Sequence, residues 1–450
     1  MRVKAINRSA DDASRERSGD IRKVHRNLDP ALRPLERAVE AKRALSAAKL
    51  ARIFARPFVA AFTHDDGVTC MAKSPASLTC VVAGSADGLL AVWDVAGRRR
   101  LRTLTGHTTG VTCAAVLAAG DGVVSGSADG AIRLHALPFA PAAPGPAHAT
   151  AAPVLEWAAG SGVRGLDAAP RPRGRFVSAG DALREWDAER GTPLRTMEWG
   201  ADGVRAVRYS PAEPDLVAAA GGDRSLCLYD LRAATPIRKL IMQTKANAVC
   251  WNPMEPLNFV AASEDCNLYT YDMRRLDAAT TVHQDFVSSV TSVDFSPTGR
   301  EFVAGGYDRS VRVFGARAGH ARDAYTARRM QRVAAVLYSG DGHYILSGSD
   351  DMNVRLWKAR ASERGGVLLP REKAAHAYQA ALVARHAHLP DVRRVLKSRR
   401  LPGPIHKAAV ARRAQVDAEA AKTRRRVAHS APGSVAVKPE RRKKIVAELE

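Results

Sequence analysis

The sequence predicts an all-β protein, a propeller of seven four-stranded blades that carries basic α-helical extensions at both ends. Three observations predict this fold. A turn motif that ends in Asp and is followed by an aromatic residue recurs along the chain. Successive copies are mostly 42 or 43 residues apart, which leaves room for four short strands in each. Between turn and aromatic residue, apolar residues alternate with others, as they do in a strand.

The position of the aromatic residue defines the repeat. The Asp lies six residues before it in every copy but one, where the separation is five. In chain order the pairs are Asp87 and Trp93, Asp129 and His135 (His in the aromatic position), Asp181 and Trp186, Asp223 and Tyr229, Asp265 and Tyr271, Asp308 and Phe314, and Asp351 and Trp357. One interval is lengthened to 51 residues by a Pro- and Ala-rich stretch, 138–153, which is typical of an exposed loop.

The chemistry of this unit is structural. A carboxylate in a tight turn can accept hydrogen bonds from nearby backbone N–H groups, and His64 and His107 in preceding loops are expected to donate to it as well. The aromatic residue is expected to pack against the next blade. The adjacent acids at 264–265 and 350–351 could form a catalytic pair, but one copy per blade indicates a requirement of the fold, since a catalytic pair occurs once. The pattern resembles the WD40 repeat.

The sequence also predicts how the ring closes. The last blade, 331–358, has residues for only three strands, and the segment 53–62 is expected to supply the fourth. Joining both ends of the propeller in one blade removes an exposed sheet edge. Both extensions should therefore leave the ring at the same blade.

Charge divides the chain into three predicted domains. The N-terminal extension 1–52 has 14 Lys and Arg against 7 Asp and Glu, and the C-terminal domain 359–450 has 22 against 8. The propeller, 53–358, has 33 against 31 and is nearly neutral. A neutral body with two basic ends is typical of a protein that binds a polyanion through its ends.

Several function classes are disfavoured. The six cysteines show no metal-ligand spacing and several lie among apolar residues, which indicates reduced thiols and no metal site. Neither a secretory signal nor a run of about 20 apolar residues is present, so no membrane partner is expected. The motifs of nucleotide hydrolases, zinc proteases and serine hydrolases are missing. We therefore expect no enzyme activity, cofactor or small-molecule substrate, and an intracellular protein.

The C-terminal domain is predicted to be helical. A helix begins at Pro370, which suits a first helical position, and places Ala375, Tyr378 and Leu382 on one face. Further helices are predicted in 390–400 and 404–428. The candidate RNA-binding residues are Arg393, Arg394, Lys397, Arg399, Arg400, Arg412, Arg413, Arg424, Arg425 and Arg426.

Two interpretations of these cations compete. They could form solvated helix faces, or they could bind RNA phosphates, which releases counterions and gives salt-dependent, sequence-independent affinity. The charge of the domain favours phosphate contacts. With Tyr378 as its single aromatic residue, the domain offers no platform for stacking bases. A last basic cluster, Arg441, Arg442, Lys443 and Lys444, is a candidate nuclear localisation signal.

The N-terminal extension carries a weaker signal. Residues 43–54 are predicted to be helical, with Leu50, Ile53 and Phe54 facing protein. This helix could pack back on the propeller or contact RNA, and the sequence favours neither.

Beyond the repeats, the chain resembles the Sof-one-like WD-repeat family, called DDB- and cullin-four-associated factor thirteen in animals. The resemblance covers nearly the whole chain and is carried by the segments 26–60, 229–240, 250–277, 346–375, 388–405 and 429–435. It implies a nucleolar component of the small-subunit processome, with the U-three small nucleolar ribonucleoprotein and small-subunit pre-ribosomal RNA as partners. It also implies residence in the nucleus and nucleolus.

Two alternatives stay open. Substrate receptors of cullin–RING ubiquitin ligases carry an aromatic-Asp-x-Arg sequence at blade ends, and two such sequences occur here, with Asp230 and Arg232 and with Asp272 and Arg274. Tyr replaces the usual Trp in both, and each Arg could simply pair with the Asp before it. The other alternative is a propeller that binds proteins without RNA.

Overall fold

The computed structural model describes residues 32, 34–137, 150–171, 174–198, 202–233, 235–363, 365–366, 368–399, 401–431 and 434–449. The candidate Arg400 and most of the Pro- and Ala-rich stretch lie outside these residues. The chain divides into two compact units, one from the described parts of Met1–Pro57 and Arg360–Arg400, the other from Phe58–Ala359 and Leu401–Glu450. The C-terminal extension is thus shared between two units.

The second unit is a seven-bladed β-propeller of antiparallel sheets. Blade 1 contains β2 (Val68–Lys73), β3 (Cys80–Ser85), β4 (Leu90–Asp94) and β5 (Arg99–Leu104). Blade 2 contains β6 (Val111–Val116), β7 (Gly122–Ser127), β8 (Ala131–Ala136) and β10 (Leu155–Ala158). Blade 3 contains β11 (Gly165–Ala168), β12 (Arg175–Ala179), β13 (Leu183–Asp187) and β14 (Arg195–Met197). A short strand, β9 (Thr150–Ala151), pairs in parallel with β5.

Blade 4 contains β15 (Val204–Tyr209), β16 (Leu216–Gly221), β17 (Ser225–Asp230) and β18 (Pro236–Met242), and blade 5 contains β19 (Ala246–Trp251), β20 (Asn258–Ser263), β21 (Leu268–Asp272) and β22 (Thr281–His283). Blade 6 contains β23 (Val290–Phe295), β24 (Glu301–Gly306), β25 (Val311–Gly315) and β26 (Ala321–Tyr325). Blade 7 contains β27 (Val333–Tyr338), β28 (Tyr344–Ser349), β29 (Asn353–Lys358) and β1 (Phe58–Thr63). The first strand of each blade contacts the first strand of the next, and β27 contacts β2, so the ring is closed.

The closing strand forms within the segment that the sequence assigns to it. β1 lies at the outer edge of blade 7 and pairs antiparallel with β29, with Phe58 opposite Trp357 and Phe62 opposite Val354. The rings of Phe58 and Trp357 meet edge to face with centroids 5.6 Å apart. Antiparallel pairing and this aromatic contact join the two ends of the propeller.

The repeated Asp stabilises the turn between the second and third strands of a blade. In five blades its Oδ1 accepts from the backbone N–H two residues later, at 2.9 to 3.1 Å; these are Asp87, Asp129, Asp223, Asp265 and Asp308. Asp351 instead pairs with Arg355. Asp181, in the blade whose turn is one residue shorter, is exposed, and its backbone N–H donates to Ser161 Oγ at 3.3 Å.

The two loop histidines do not donate to these carboxylates as expected. His64 Nε2 accepts from the indole N–H of Trp93 at 3.0 Å. His107 Nδ1 accepts from Arg133 at 2.9 Å, since a guanidinium cannot accept, and lies 3.9 Å from Asp129 Oδ2. The expectation was wrong because backbone N–H groups and neighbouring hydroxyls already satisfy the turn carboxylates.

The aromatic positions are buried, with side chains between 0% and 8% exposed. Trp93 and Trp186 pack against the preceding blade and not, as expected, against the next one: Trp93 belongs to a cluster with Leu337 and Leu346 of blade 7, and Trp186 to one with Cys113 and Val124 of blade 2. Burying an aromatic side chain contributes about 2–3 kcal/mol of transfer free energy. The repeat spacing therefore places one such anchor in every blade.

The first unit is helical. It contains α1 (Glu36–Arg52), α2 (Pro370–Arg385) and α3 (Pro390–Lys397), and α1 contacts both other helices. Its core is small: Ala48, Val392 and Val395 are buried, with Leu45 and Ile53 packed against them. The N-terminal helix therefore packs with helices from the other end of the chain.

The expected protein-facing residues of α1 are partly wrong. Leu50 and Phe54 are 60% and 64% exposed, and only Ile53 of the three packs in the core. The buried face of α1 consists of Ala44, Ala47 and Ala48, which allow close approach of the neighbouring helices. On α2, Leu382 is buried as expected, but Tyr378 is 49% exposed.

The propeller unit continues after the blades. It includes α4 (Gly403–Ala428), the short helix α5 (Glu440–Lys443) and the strand β30 (Ile445–Leu449). β30 pairs antiparallel with β18 and becomes a fifth strand at the outer edge of blade 4.

Candidate RNA and protein interfaces

The cations of α3 lie opposite its buried face. Val392 and Val395 point into the helical core, while Arg393, Arg394 and Lys397 are exposed. The short helix separates the two sets because positions three or four apart share a face. Arg394 lies 3.6 Å from Asp391 in an exposed pair, which costs little to break. This face can therefore present charge to a phosphate backbone.

The two chain ends are joined electrostatically as well as by packing. Glu40 of α1 lies 3.4 Å from Arg385 Nη1 and 3.7 Å from His386 Nε2 at the end of α2. The carboxylate is 16% exposed. The cations of α3 therefore lie on a unit built from both ends of the chain, a union that no local sequence signal indicates.

Arg412, one of the candidate RNA-binding residues, anchors α4 to the propeller. Its Nη2 donates to the backbone oxygen of Asp265 at 2.8 Å, and its Nη1 donates to the backbone oxygen of Phe286. Ile405, Ala408 and Ala409 of the same helix are also partly buried. Arg412 thus has a structural role, because its guanidinium is engaged by the turn of blade 5.

The rest of α4 is exposed. Arg413 is 86% exposed and lies 3.9 Å from Asp417, a contact in the range of a weak surface pair. Arg424, Arg425 and Arg426 are exposed near the end of the helix, where cations interact favourably with the helix dipole. These four cations are accessible to a polyanion.

The last basic cluster lies against blades 4 and 5. Arg442 pairs with Asp277, and backbone oxygens of Arg441, Lys443 and Lys444 accept hydrogen bonds from the propeller. This docking could not be predicted, because a run of four cations carries no strand or turn pattern.

The two Asp-x-Arg sequences occupy equivalent turns of blades 4 and 5. Arg232 Nε lies 3.3 Å from Asp230, and Arg274 Nη2 lies 2.9 Å from Asp272, so each Arg pairs with the Asp before it. The Arg274 guanidinium lowers the pKa of Asp272. Both Arg side chains remain 72% and 65% exposed. Both turns are accessible to a partner protein. To bind either Arg, that protein would have to replace the Asp with which the Arg is paired.

The acids that could have formed catalytic pairs have separate roles. Asp350 pairs with Arg332 and Asp351 with Arg355. Among the described residues, no group of three or more His, Cys, Asp or Glu side chains could hold a metal ion. In the same part of the chain, none of the helices has the length and apolar character that crossing a membrane requires.

A cavity of ≈ 570 Å³ lies at the start of the inner strands of blades 4 to 6. Arg205 Nη1 lies 3.3 Å from Asn247 Oδ1 and 3.4 Å from Glu264 Oε1 on its wall. Of these three residues only Glu264 stands out in the sequence, because Arg205 and Asn247 depart from the Thr that occupies the second position of the inner strand in blades 1, 2 and 6.

Comparison with known proteins gives consistent matches. Residues 359–445 match the Sof1-like domain, and residues 57–94, 98–135, 279–315 and 325–358 match the WD domain, G-beta repeat. The chain is 40% identical to DDB1- and CUL4-associated factor 13 of Xenopus laevis and 41% identical to that of Danio rerio. Each alignment covers 100% of this chain and 100% of the relative. It is 37% identical to Protein SOF1 of Saccharomyces cerevisiae, over 91% of this chain and 87% of that protein.

Proposed function

Because the chain belongs to the Sof1-like family of WD-repeat proteins, we propose that it is a non-catalytic scaffold in ribosome biogenesis. In this proposal it is a component of the small-subunit processome, resides in the nucleolus, and is required for small-subunit pre-ribosomal RNA processing. The resemblance of the whole chain to this family supports the role, and the distribution of charge supports the mechanism.

The observation that carries the mechanism is the exposure of cations on the helical extensions. Arg393, Arg394 and Lys397 share one face of α3, and the second half of α4 is exposed around Arg413 and Arg424–Arg426. Each phosphate contact releases counterions, so affinity falls with salt and depends little on sequence. The extensions then hold pre-ribosomal or small nucleolar RNA, while the propeller offers its turns and edges to processome proteins.

Sedimentation tests the proposal in the full-length protein. A charge-neutralised variant replaces with Gln the exposed cations Arg393, Arg394, Lys397, Arg413, Arg424, Arg425 and Arg426. We expect the wild type to sediment with large pre-ribosomal particles and the variant to move to light fractions at moderate salt. A variant that stays with the particles would contradict the role of these cations. A wild type absent from the particles would contradict the scaffold role itself.

A second candidate function is substrate recognition for a cullin 4 ubiquitin ligase. Two observations favour it: the animal relatives are named DDB1- and CUL4-associated factor 13, and the exposed Arg232 and Arg274 lie in equivalent turns of adjacent blades. Arg238 Nη1 donates to the backbone oxygen of Arg274 at 2.6 Å and so links blade 4 to the second turn. The two turns are thereby held as one surface for a ligase adaptor.

Charge reversal tests the second candidate. Arg232→Glu with Arg274→Glu should abolish capture of the purified ligase adaptor by the full-length protein. Arg317→Glu is the matched control, because Arg317 is 86% exposed and follows the third strand of blade 6. Equal capture by both variants and the wild type would exclude these turns as the adaptor site.

A further inference from the structure

The C-terminal strand is held on blade 4 by main-chain pairing. β30 aligns with β18 so that Lys239 is opposite Leu449, Leu240 opposite Glu448, Ile241 opposite Ala447 and Met242 opposite Ile445. β18 runs from Pro236 to Met242 and would otherwise present unpaired N–H and C=O groups at the sheet edge. β30 satisfies this edge by strand addition, a recurrent way of binding extended peptides.

Three of the four basic residues before the strand are held through their backbone. The N–H of Ala279 donates to Arg441 O at 3.0 Å, and the N–H of Gln243 donates to Lys444 O at 3.0 Å. The side chain of Gln243 donates from Nε2 to Lys443 O at 3.1 Å. One glutamine thus fixes two successive carbonyl groups, which positions the chain for strand pairing.

Side chains give the site its preferences. Asp277 accepts the guanidinium of Arg442, and Ile445 packs against the hydrophobic core between blades 4 and 5. At the other end, Arg238 Nη1 lies 3.3 Å from Glu448 Oε1. Val446 points away and is 61% exposed. The contacts therefore distinguish Arg442 and Ile445 from their neighbours.

From these contacts we propose that the edge of blade 4, with Gln243 and Asp277, is a peptide-binding site. Its ligand is an arginine-containing basic segment that continues into an aliphatic strand, and 441–449 of this chain occupies it. The cluster at 441–444 is then a docking motif. A nuclear import receptor or an RNA would have to displace it before binding its backbone and cations.

The test uses the full-length protein and two neighbouring substitutions. Ile445→Asp puts a charge into the core contact and should release the tail, whereas Val446→Asp puts the same charge on the exposed side and should not. Amide hydrogen exchange at 445–449 should be at least about tenfold slower in the wild type and Val446→Asp than in Ile445→Asp. Equally fast exchange in all three proteins would overturn the proposal.

A reciprocal swap tests the ion pair. Asp277→Arg should increase exchange at 445–449, and adding Arg442→Asp to it should restore protection. A merely unfolded blade would not be rescued by the second change. If the double variant keeps an intact propeller by circular dichroism but 445–449 still exchanges fast, Asp277 does not contribute to binding the tail.

Binding in trans tests whether the site recognises a peptide. A fluorescent peptide of residues 438–449 should bind the full-length Ile445→Asp protein, whose own tail has left the site, and should bind the wild type more weakly. The same peptide with Asp at position 445 should not bind. No difference between the two peptides would contradict a peptide site at this edge.

Discussion

Arg312 Nη2 donates to Asp308 Oδ2 at 2.9 Å, and the two side chains are only 1% and 3% exposed. The pair ties the turn of blade 6 to its third strand, and the guanidinium also lies over the ring of Phe286. The same separation of four residues joins Asp351 to Arg355 in blade 7. A buried pair of this kind is costly to break because one charge is left without its partner.

We therefore expect Arg312→Met to lower the free energy of unfolding by about 3–5 kcal/mol, since the buried Asp308 side chain would lose its ion-pair partner. Urea denaturation at pH 7 measures the change. The control is Arg317→Met, which removes an exposed pair with Glu255 and should change stability by less than about 1 kcal/mol. Equal effects of the two substitutions would contradict the importance of burial.

His135 occupies an aromatic position, and within the described part of the chain neither of its ring nitrogens has a hydrogen-bond partner. We expect His135→Phe to raise the free energy of unfolding at pH 7 by about 1–2 kcal/mol, because two unsatisfied polar atoms leave the core. His64→Phe is the comparison, since it removes the acceptor of the Trp93 indole and should destabilise. Chemical denaturation distinguishes the two outcomes, and a destabilised His135→Phe protein would contradict the prediction.

The same histidine makes stability depend on pH. Burial lowers the pKa of His135 to about 4, against an ordinary value near 6.5 in the unfolded chain. Both states are neutral above pH 6.5, so stability is flat there. As the pH falls, the unfolded chain takes up the proton first, and about 2–3 kcal/mol should be lost by pH 4.5.

Thermal unfolding across this pH range measures that loss. His135→Phe should lose less stability between pH 6.5 and 4.5 than the wild type. The remaining acid sensitivity should come in part from His64 and His283, whose pKa values burial also lowers to about 4. Identical pH profiles for His135→Phe and the wild type would contradict the assignment.

Gly88 follows the turn Asp of blade 1 with φ of +85°, and a Cβ there would lie 2.8 Å from the backbone oxygen of His107. Gly88→Ala should therefore cost at least about 2 kcal/mol, from left-handed backbone strain and the clash. Gly191→Ala is the control, since apart from its own residue and the two adjacent ones no described residue comes within 4 Å of the added Cβ. Equal melting temperatures for the two variants would contradict the constraint.

Arg412 should hold α4 on the propeller. Arg412→Ala removes the donors to Asp265 and Phe286, so hydrogen exchange in the first half of α4 should accelerate by about tenfold. Arg413→Ala, at the adjacent exposed position, should leave exchange unchanged. Protection that survives Arg412→Ala would show that the apolar contacts of the helix suffice.

Salt dependence tests the phosphate contacts of α3. Arg393→Gln with Lys397→Gln should reduce the slope of log affinity against log salt by about 1.4 for single-stranded RNA, since each lost contact removes about 0.7. The control, Arg98→Gln with Arg99→Gln, removes the same charge from two exposed propeller residues where β5 begins. Filter binding at several salt concentrations measures both slopes, and equal slopes would contradict a local contact.

The repeat could be predicted because its determinants are local. Each blade has a turn Asp and a buried residue in the aromatic position, six positions later in all blades but blade 3, and the spacing of successive copies gives the period directly. The departure in blade 3 also has a local cause, because its turn is one residue shorter and leaves Asp181 exposed.

The union of the chain ends, the anchoring by Arg412 and the docking of 441–449 could not be predicted. Each joins segments far apart in sequence through few contacts. The buried face of α1 is made of alanines, which give no strong apolar stripe. Arg412 and Arg413 are neighbours of identical type, and only the turn of blade 5 distinguishes them.

Ultraviolet crosslinking in cells, with sequencing of the attached RNA and mapping of the crosslinked peptides, tests whether the helical extensions bind ribosomal precursor RNA. We expect reads on small-subunit pre-ribosomal RNA or its guide RNA, with crosslinked peptides from α3 and the exposed half of α4. Reads at background, or crosslinks confined to the propeller blades, would contradict it.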